Sequence, residues 1–214
     1  MSLVHLASLL VAAVSPSGDW KRLEEKDGLV LEGRPMEGGS LMELRVSSTV
    51  PFDVDTLCNA IFERASGPKS PDLPEIMART VLKEGPNERV VYDQVSAPVV
   101  SNRDYAMRIT REKASATRCQ VEFKTVPEQA PPVPSGFVRM TEIFGAWTFE
   151  ELAPSKTRAT YRIYSDPAGS IPKFIVTGPQ RQTTLANFQR SIERTRRVSQ
   201  QRDAGAAPLK GQSP

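Results

Sequence analysis

The side chains with catalytic potential in this 214-residue chain are few and scattered. The single histidine, His5, lies in an apolar segment near the N-terminus. The sequence contains no Gly-x-Ser-x-Gly elbow, no phosphate-binding glycine loop and no His or Cys cluster with metal-ligand spacing. We therefore predict no catalytic residue, no metal ion and no cofactor.

Three acids, Glu142, Glu150 and Glu151, lie on or near one predicted strand, and of these Glu142 is the one that can point inward. A lone inward carboxylate can serve as the base of a cyclase- or dehydratase-like enzyme with an apolar substrate. No second group pairs with it to form an acid/base set. An enzyme of this kind is therefore the alternative hypothesis, not the main one.

The two cysteines, Cys58 and Cys119, fall in a predicted helix and a predicted strand. Their spacing matches no metal motif, and two cysteines do not make a disulfide framework. Free cysteines are among the most buried residue types. We interpret both as small buried hydrophobic side chains.

The charge pattern argues against nucleic-acid binding. The net charge is only +3, and the Lys and Arg residues are dispersed among acids. Nucleic-acid-binding surfaces normally concentrate their basic residues on one face. The composition, 39% hydrophobic and 25% charged, is that of a soluble globular domain long enough to hold both a core and a cavity.

Residues 3–14 are almost wholly apolar, which is too short for a membrane-spanning helix but typical of the core of a secretory signal. Val11-Ala12-Ala13 supplies small residues for cleavage, although no Lys or Arg precedes the apolar run. We predict that residues 1–18 are a signal peptide and that the protein is exported, to the periplasm or outside the cell. The alternative is an N-terminal helix packed on a cytoplasmic domain.

Hydrophobic periodicity predicts an α+β fold. Residues 20–26 are typical of a short helix or turn that ends at Asp27-Gly28. An amphipathic helix follows Asp53, residues 126–135 form a proline-rich loop, and a last helix with an apolar stripe is kinked or split at Gly178-Pro179. Strands are predicted at residues 29–31, 41–50, 79–83, 89–96, 105–112, 118–125, 137–150 and 157–165. Residues 19–196 form the domain, and residues 197–214 are predicted to be a disordered tail.

A curved antiparallel sheet wrapped around a long C-terminal helix satisfies this order of elements. At this point three segments carry a family resemblance: VSNRDY at residues 100–105, VR followed by GAW at 138–147, and DPAGSIPKF at 166–174. In order and spacing they resemble segments of the START lipid-transfer domains of the helix-grip, Bet v 1-like superfamily. The similarity covers residues 20–196.

The resemblance implies a tunnel between sheet and last helix that holds one sterol, phospholipid, fatty acyl or similar ligand. It also implies a lid made of the last helix and a loop, and the proline-rich loop 126–135 is our candidate for the mouth. The expected function is to bind and carry one hydrophobic molecule without covalent chemistry. Its partners would be the lipid and, transiently, a membrane.

Two departures from the family pattern bear on the ligand. Residues 66–72 lack the arrangement of a basic residue and a Trp-Asp pair that some phospholipid-binding relatives carry. Where sterol-type relatives place an acid and an Arg, the best register gives Gln94 and Ile109, and a slip of one residue gives Asp93 and Arg108. An apolar or weakly polar ligand therefore suits the tunnel better than a charged phospholipid.

The candidate ligand contacts lie on inward strand faces and on the stripe of the last helix. Tyr92 and Gln94 are the polar candidates, because apolar sites use a few polar groups to orient a ligand. The same pattern also fits a filled core, which would make the domain an interaction module that uses its surface. Arg103-Asp104 either contacts the ligand or fixes the turn at the strand entry. The candidates are Tyr92, Gln94, Tyr105, Met107, Ile109, Val121, Phe123, Ile143, Tyr161, Phe174, Leu185 and Phe188.

Overall fold

The computed structural model describes residues 15–37, 41–97, 100–169, 171 and 173–206, with no side-chain detail for residues 173–177 and 203–206. The predicted signal segment up to residue 14 and the side chain of Phe174 thus lie outside the described residues. Of the helices in this part of the chain, none is long and apolar enough to cross a membrane.

The predicted α+β fold, an antiparallel sheet with a long C-terminal helix, is confirmed. The elements are β1 (Lys21–Lys26), β2 (Leu29–Pro35), β3 (Met42–Val50), α1 (Val54–Ser66), β4 (Ile76–Lys83), β5 (Glu88–Val95), β6 (Asn102–Ser115), β7 (Arg118–Thr125), β8 (Phe137–Arg139), β9 (Ile143–Ala153), β10 (Lys156–Ser165) and α2 (Lys173–Ala206). One large sheet has the strand order β1-β2-β3-β10-β9-β7-β6-β5-β4, and all these neighbours are antiparallel, while the short β8 pairs in parallel with β6. Two helices cover one face, here called the inner face.

The first element is a strand, and the helix or turn predicted for residues 20–26 is wrong. Asp27 and Gly28 both have positive φ, 51° and 75°, as the two central residues of a type I′ hairpin turn require. Pairing of Lys26 with Leu29 closes the hairpin directly over this turn. The Asp-Gly pair therefore joins β1 to β2 instead of ending a helix.

Helix α1 begins where the sequence predicts, because the Asp53 side chain accepts a 2.7 Å hydrogen bond from the Thr56 backbone N–H. Its buried side chains pack on the inner face at β6, β7 and β9. Cys58 of α1 forms a disulfide with Cys119 of β7, with their Cα atoms 6.2 Å apart. The interpretation of two separate buried thiols is therefore corrected: the packing of helix on sheet brings them together across 61 residues.

Helix α2 is continuous from Lys173 to Ala206. Pro179 lies inside it without splitting it, and the segment 197–206, predicted to be disordered, continues the helix. Phe188 and Ile192 are buried against the sheet, and this packing anchors the helix beyond its proline. The C-terminal turns carry Gln, Arg and Ala, which favour helix, so the helix extends past its last buried contacts.

Two of the segments that carry the family resemblance meet in space. The guanidinium of Arg103, at the start of β6, donates to the carbonyl oxygens of Pro167 (2.9 Å) and Ala168 (3.2 Å). Ala168 and Gly169 have positive φ, 56° and 74°, so this turn before α2 needs such support. Of the two interpretations of Arg103, the structure supports turn fixation.

The proline-rich loop packs on the outer face of the sheet, not on the helix side. Val126 forms a small buried cluster with Val90 and Ala106. Further along, Arg139 donates a 2.7 Å hydrogen bond from Nη2 to the carbonyl of Pro131 and binds the buried Asp104 through Nε and Nη2. The placement of residues 126–135 at the tunnel mouth is therefore corrected: the side chains of Val126 and Arg139 hold this loop behind the sheet.

Candidate functional site

The two helices differ in how closely they pack on the inner face. Beneath α1 the space is filled by core side chains, including Leu57, Ile61 and Phe62. Between α2, the sheet and the α1–β4 loop lies a pocket of about 280 Å³. Its wall is mostly apolar and comprises Arg64, Ala65, Leu73, Glu75, Ile76, Arg79, Val95, Tyr105, Met107, Phe123, Met140, Ile143, Trp147, Tyr161, Ile163, Ser165, Thr183, Thr184 and Asn187.

The pocket opens between the α1–β4 loop and α2. Glu75, on the loop, is half exposed, and Thr183, on α2, is exposed, although both line the pocket. Arg190 of α2 lies 3.4 Å from the Glu75 carboxylate. This ion pair therefore connects the loop to the helix beside the opening.

One polar cluster on the inner face is built around Arg79 of β4 and Asp93 of β5. The guanidinium binds the carboxylate with two bonds, of 2.6 and 2.7 Å, and also donates to the carbonyl of Ala65 (3.1 Å) at the end of α1. Burial lowers the pKa of Arg79, but its bond to Asp93 outweighs burial and the pKa is raised. Burial, with the nearby Asp93 charge, raises the pKa of Tyr105 well above its usual value, so this phenol stays protonated.

A second polar cluster ties α1 to α2. Arg64 is bound to Asp72 at 2.7 Å and donates to the side-chain oxygen of Asn187 at 3.0 Å. The Asn187 amide in turn donates to the Tyr161 hydroxyl at 3.0 Å. Burial raises the pKa of Tyr161 to about 12, so it too stays a neutral hydroxyl. Both tyrosines therefore present uncharged polar groups to the pocket.

The charged side chains on the described wall are all engaged. Arg64 is paired with Asp72, Arg79 with Asp93, and Glu75 with Arg190. An ionised ligand group would therefore find no unpaired counter-ion on this wall, and its desolvation would not be compensated. The pocket favours a molecule that is apolar with at most a neutral polar end.

Five of the twelve predicted ligand contacts lie on this wall. They come from three strands and from the start of a fourth, because alternate residues of paired strands share a face. The rings of Phe123 and Tyr161 lie 6.1 Å apart, and Trp147 stacks on Tyr161 at 4.5 Å. The five are Tyr105, Met107, Phe123, Ile143 and Tyr161.

The two polar candidates face the other way. Tyr92 pairs with Ala106, so its side chain lies on the outer face, where its hydroxyl donates to Asp104 at 2.9 Å. Gln94 is hydrogen-bonded to Tyr92 on the same face. The inward residue between them is Asp93. From the sequence we preferred the register with Gln94 inward, and the structure has the register shifted by one residue. The prediction that Tyr92 and Gln94 line the pocket is therefore wrong. Arg108 also faces outward.

Of the remaining candidates, Ile109 and Val121 point inward but are fully buried in the core cluster beneath α1. Phe188 stacks on Trp147 at 5.3 Å, behind the pocket wall. Leu185 faces the β1–β2 hairpin, beside Leu29 and Leu31. Helix α1, which the sequence did not place relative to the sheet, fills the space over Ile109 and Val121 that was predicted to be open.

Glu142 is not on the pocket wall. Burial raises the pKa of Tyr164, on the outer side, and the nearby charges of Asp166 and Glu142 add to this rise. The described residues also contain no cluster of His, Cys, Asp and Glu that could hold a metal ion. Sequence reasoning missed the polar wall residues Arg64, Arg79 and Asn187. Arg79 could have been predicted as the partner of Asp93, because the two residues lie opposite each other on β4 and β5. That prediction requires the register between the two strands to be known.

Comparison with known proteins supports this architecture. No protein-family model matches the chain. The structure of a STAR-related lipid transfer protein from Xanthomonas axonopodis is similar, with 25% identity, 83% of this chain and 98% of that chain covered, and a TM-score of 0.71. The chain therefore has the helix-grip fold of the START-like domains.

Human STARD10 shares the fold of this START-like domain with a TM-score of 0.72 at 15% identity, over 86% of this chain and 76% of that one. An uncharacterised protein of Pseudomonas aeruginosa is 24% identical over 200 residues, which cover 91% of this chain and 96% of that protein. The resemblance to the START domains read from the three segments is thereby confirmed.

Proposed function

We propose that this START-like domain binds one small apolar molecule in the pocket beneath α2 and carries it without covalent chemistry. The observation that carries the proposal is the combination of an apolar wall with charges that are already paired. The likeness to a lipid transfer protein supports the same kind of ligand.

The size and polarity of the pocket narrow the ligand class. Its volume of about 280 Å³ is near the lower end of the range of small-molecule sites. The Tyr161 hydroxyl accepts from Asn187 and can donate to a ligand hydroxyl or carbonyl. The Tyr105 hydroxyl, in contrast, is bonded to Asp93 and can accept from a ligand hydroxyl. We therefore expect a compact hydrophobic molecule with one neutral polar end. Burying about 300 Å² of its apolar surface would contribute roughly 7 kcal/mol before the costs of association, so this contribution alone corresponds to a Kd no tighter than about 10 μM.

The test is native mass spectrometry of the protein purified from cells, combined with a pocket-filling variant. Met107→Trp places an indole into the pocket, whereas Leu82→Trp adds the same group at a side chain that is 40% exposed on β4. We expect a co-purifying apolar mass with the parent protein and with Leu82→Trp, and its loss with Met107→Trp. Equal ligand retention by both variants would contradict binding in this pocket, provided that circular dichroism shows both to be folded.

The cyclase- or dehydratase-like alternative rested on an inward Glu142. Glu142 is not among the residues that line the pocket, which supports the carrier over the enzyme. Turnover lost in Glu142→Gln with unchanged ligand binding would restore the enzyme hypothesis.

We further propose that the protein is exported. The apolar segment 3–14 has the character of a signal core. The Cys58–Cys119 disulfide supports export independently, because structural disulfides persist in oxidising compartments and are rare in the cytosol.

Sequencing the mature N-terminus together with counting free thiols tests this location. We expect the first residues of the chain to be removed and no thiol to react without prior reduction. An intact N-terminus, with two reactive thiols in unfolded protein taken from the cytoplasm, would contradict export.

A further inference from the structure

The outer face of the sheet carries two cations in an unusual position. Arg108 of β6 and Lys124 of β7 lie directly opposite each other in the antiparallel ladder. Like charges in directly opposed positions repel each other and destabilise a sheet. A nearby acid can neutralise this repulsion.

A second pair on the same face shows how that neutralisation is done. Arg45 of β3 and Arg162 of β10 are also directly opposed. Glu32 accepts a 2.8 Å hydrogen bond from Arg45, and the fully buried Glu43 accepts one from Arg162. Because Glu43 also binds Arg34, one carboxylate serves two guanidinium groups and positive charge remains at Arg162.

The Arg108–Lys124 pair has no such acid. Within the described part of the chain, neither side chain forms a hydrogen bond or ion pair, and the Nε of Arg108 is buried without a partner. Glu88 influences Arg108 only at a distance, since its carboxylate is bound to Lys83 at 2.7 Å. Glu122 lines the same surface pocket as both cations, but it is exposed and accepts a hydrogen bond from Gln120.

Arg108, Lys124 and Arg162, here called the cationic patch, surround a surface pocket of about 170 Å³. Thr110 adds a hydroxyl to its wall, and the ring of Phe144 adds an apolar side. Gly145 also lines the depression, but with backbone only, because a Cβ at this inward-facing position would fall 2.5 Å from the Phe123 ring. The depression thus places three cations, a hydroxyl and one exposed carboxylate around one small space.

We propose that the cationic patch binds an oxyanion of the phosphate class. A guanidinium matches two oxygens of such an ion, and an ammonium adds a point charge beside it. The site lies on the opposite face of the sheet from the pocket beneath α2, so it does not depend on the proposed carrier function. The same chemistry fits a free phosphate or the phosphate of a lipid headgroup at a membrane surface.

Titration with inorganic phosphate tests the site, with sodium chloride at matched ionic strength as the reference. The readouts are isothermal titration calorimetry and the thermal unfolding midpoint. We expect saturable binding and a rise in the midpoint for the parent protein. Arg108→Gln and Lys124→Gln should each weaken binding by about tenfold or more, because each removes a charge-assisted contact. Lys156→Gln removes the same charge from a distant exposed site and should leave binding unchanged.

A phosphate response no larger than the chloride response, or equal weakening by Lys156→Gln and Arg108→Gln, would overturn the proposal. Lys124 is exposed, so its variant stays informative even if Arg108→Gln fails to fold. Flotation with phosphatidylglycerol vesicles then identifies the source of the anion. Retention that is lost in Arg108→Gln assigns a lipid headgroup. Absence of retention, or retention equal in both proteins, assigns a free oxyanion.

Discussion

The inner face of the sheet has two halves that differ in how they are covered. Beneath α1 the side chains interlock with Leu57, Ile61 and Phe62, and a disulfide joins helix to strand. Beneath α2 a pocket remains, and its polar wall groups are held by ion pairs and hydrogen bonds. The same strands contribute to both halves, so the pocket arises from helix placement and not from a special strand composition. Apolar packing stabilises the half beneath α1. Ion pairs hold the polar wall groups of the half beneath α2 in place.

The largest expected effect comes from breaking the buried ion pair of the pocket half. Asp93→Asn leaves Arg79 buried without its counter-ion, and we expect a loss of about 3–5 kcal/mol in the free energy of unfolding. Urea unfolding measures this. The double variant Arg79→Met/Asp93→Leu removes both charges and should be more stable than Asp93→Asn. A loss below about 1 kcal/mol in the single variant would mean that the pair does not hold this half together.

Two alanine variants on one strand compare the packing of the two halves directly. Ile109 and Met107 lie on the same face of β6, two residues apart, the first beneath α1 and the second on the pocket wall. Ile109→Ala creates a cavity in a filled core, and we expect a loss of about 2–5 kcal/mol. Met107→Ala enlarges an existing space and should cost less than about 2 kcal/mol. Equal losses in urea unfolding would show that the pocket half is packed as tightly as the other.

The disulfide between α1 and β7 tests whether the half beneath α1 affects the pocket. The variant Cys58→Ala/Cys119→Ala removes a cross-link between residues 61 apart in sequence. We expect a loss of about 2–4 kcal/mol in the free energy of unfolding, because the unfolded chain gains freedom. Apolar ligand binding should be unchanged, since neither cysteine lines the pocket. Loss of binding in the folded variant would show that α1 positions the pocket wall.

The smallest effect concerns the loop beside the pocket opening. Hydrogen bonds from Ser70 and Arg64, with the charges of Arg64 and Arg194, outweigh burial and lower the pKa of Asp72 to about 2. Its ionised form therefore stabilises the fold above about pH 4, and this contribution is lost as the pH falls through 2. We expect Asp72→Asn to cost about 1–2 kcal/mol at pH 7, after allowance for solvent screening. Unfolding at several pH values should show this difference shrinking below pH 4, and a constant difference would contradict it.

Local signals predicted most of the elements. Asp53 set the start of α1, alternation set most of the strands, and the segments at Arg103 and Asp166 identified the fold. Asp27-Gly28 shows the limit of such signals, because the same pair suits a helix end or a hairpin, and only pairing with β2 decides between them. Likewise, an error of one residue in the predicted register put Gln94 on the inner face instead of Asp93, because neighbouring side chains on a strand point to opposite faces.

The sequence by itself determined the α+β class, the helix-grip order of elements and the apolar character of the inner face, because periodicity and turn chemistry are local properties. Tertiary structure alone decided that Cys58 meets Cys119, that Arg79 neutralises Asp93, and that Ile109 is core while Met107 lines a pocket. The physical reason is that cross-strand register and helix position are set by the summed packing of distant segments, which no short stretch of residues encodes.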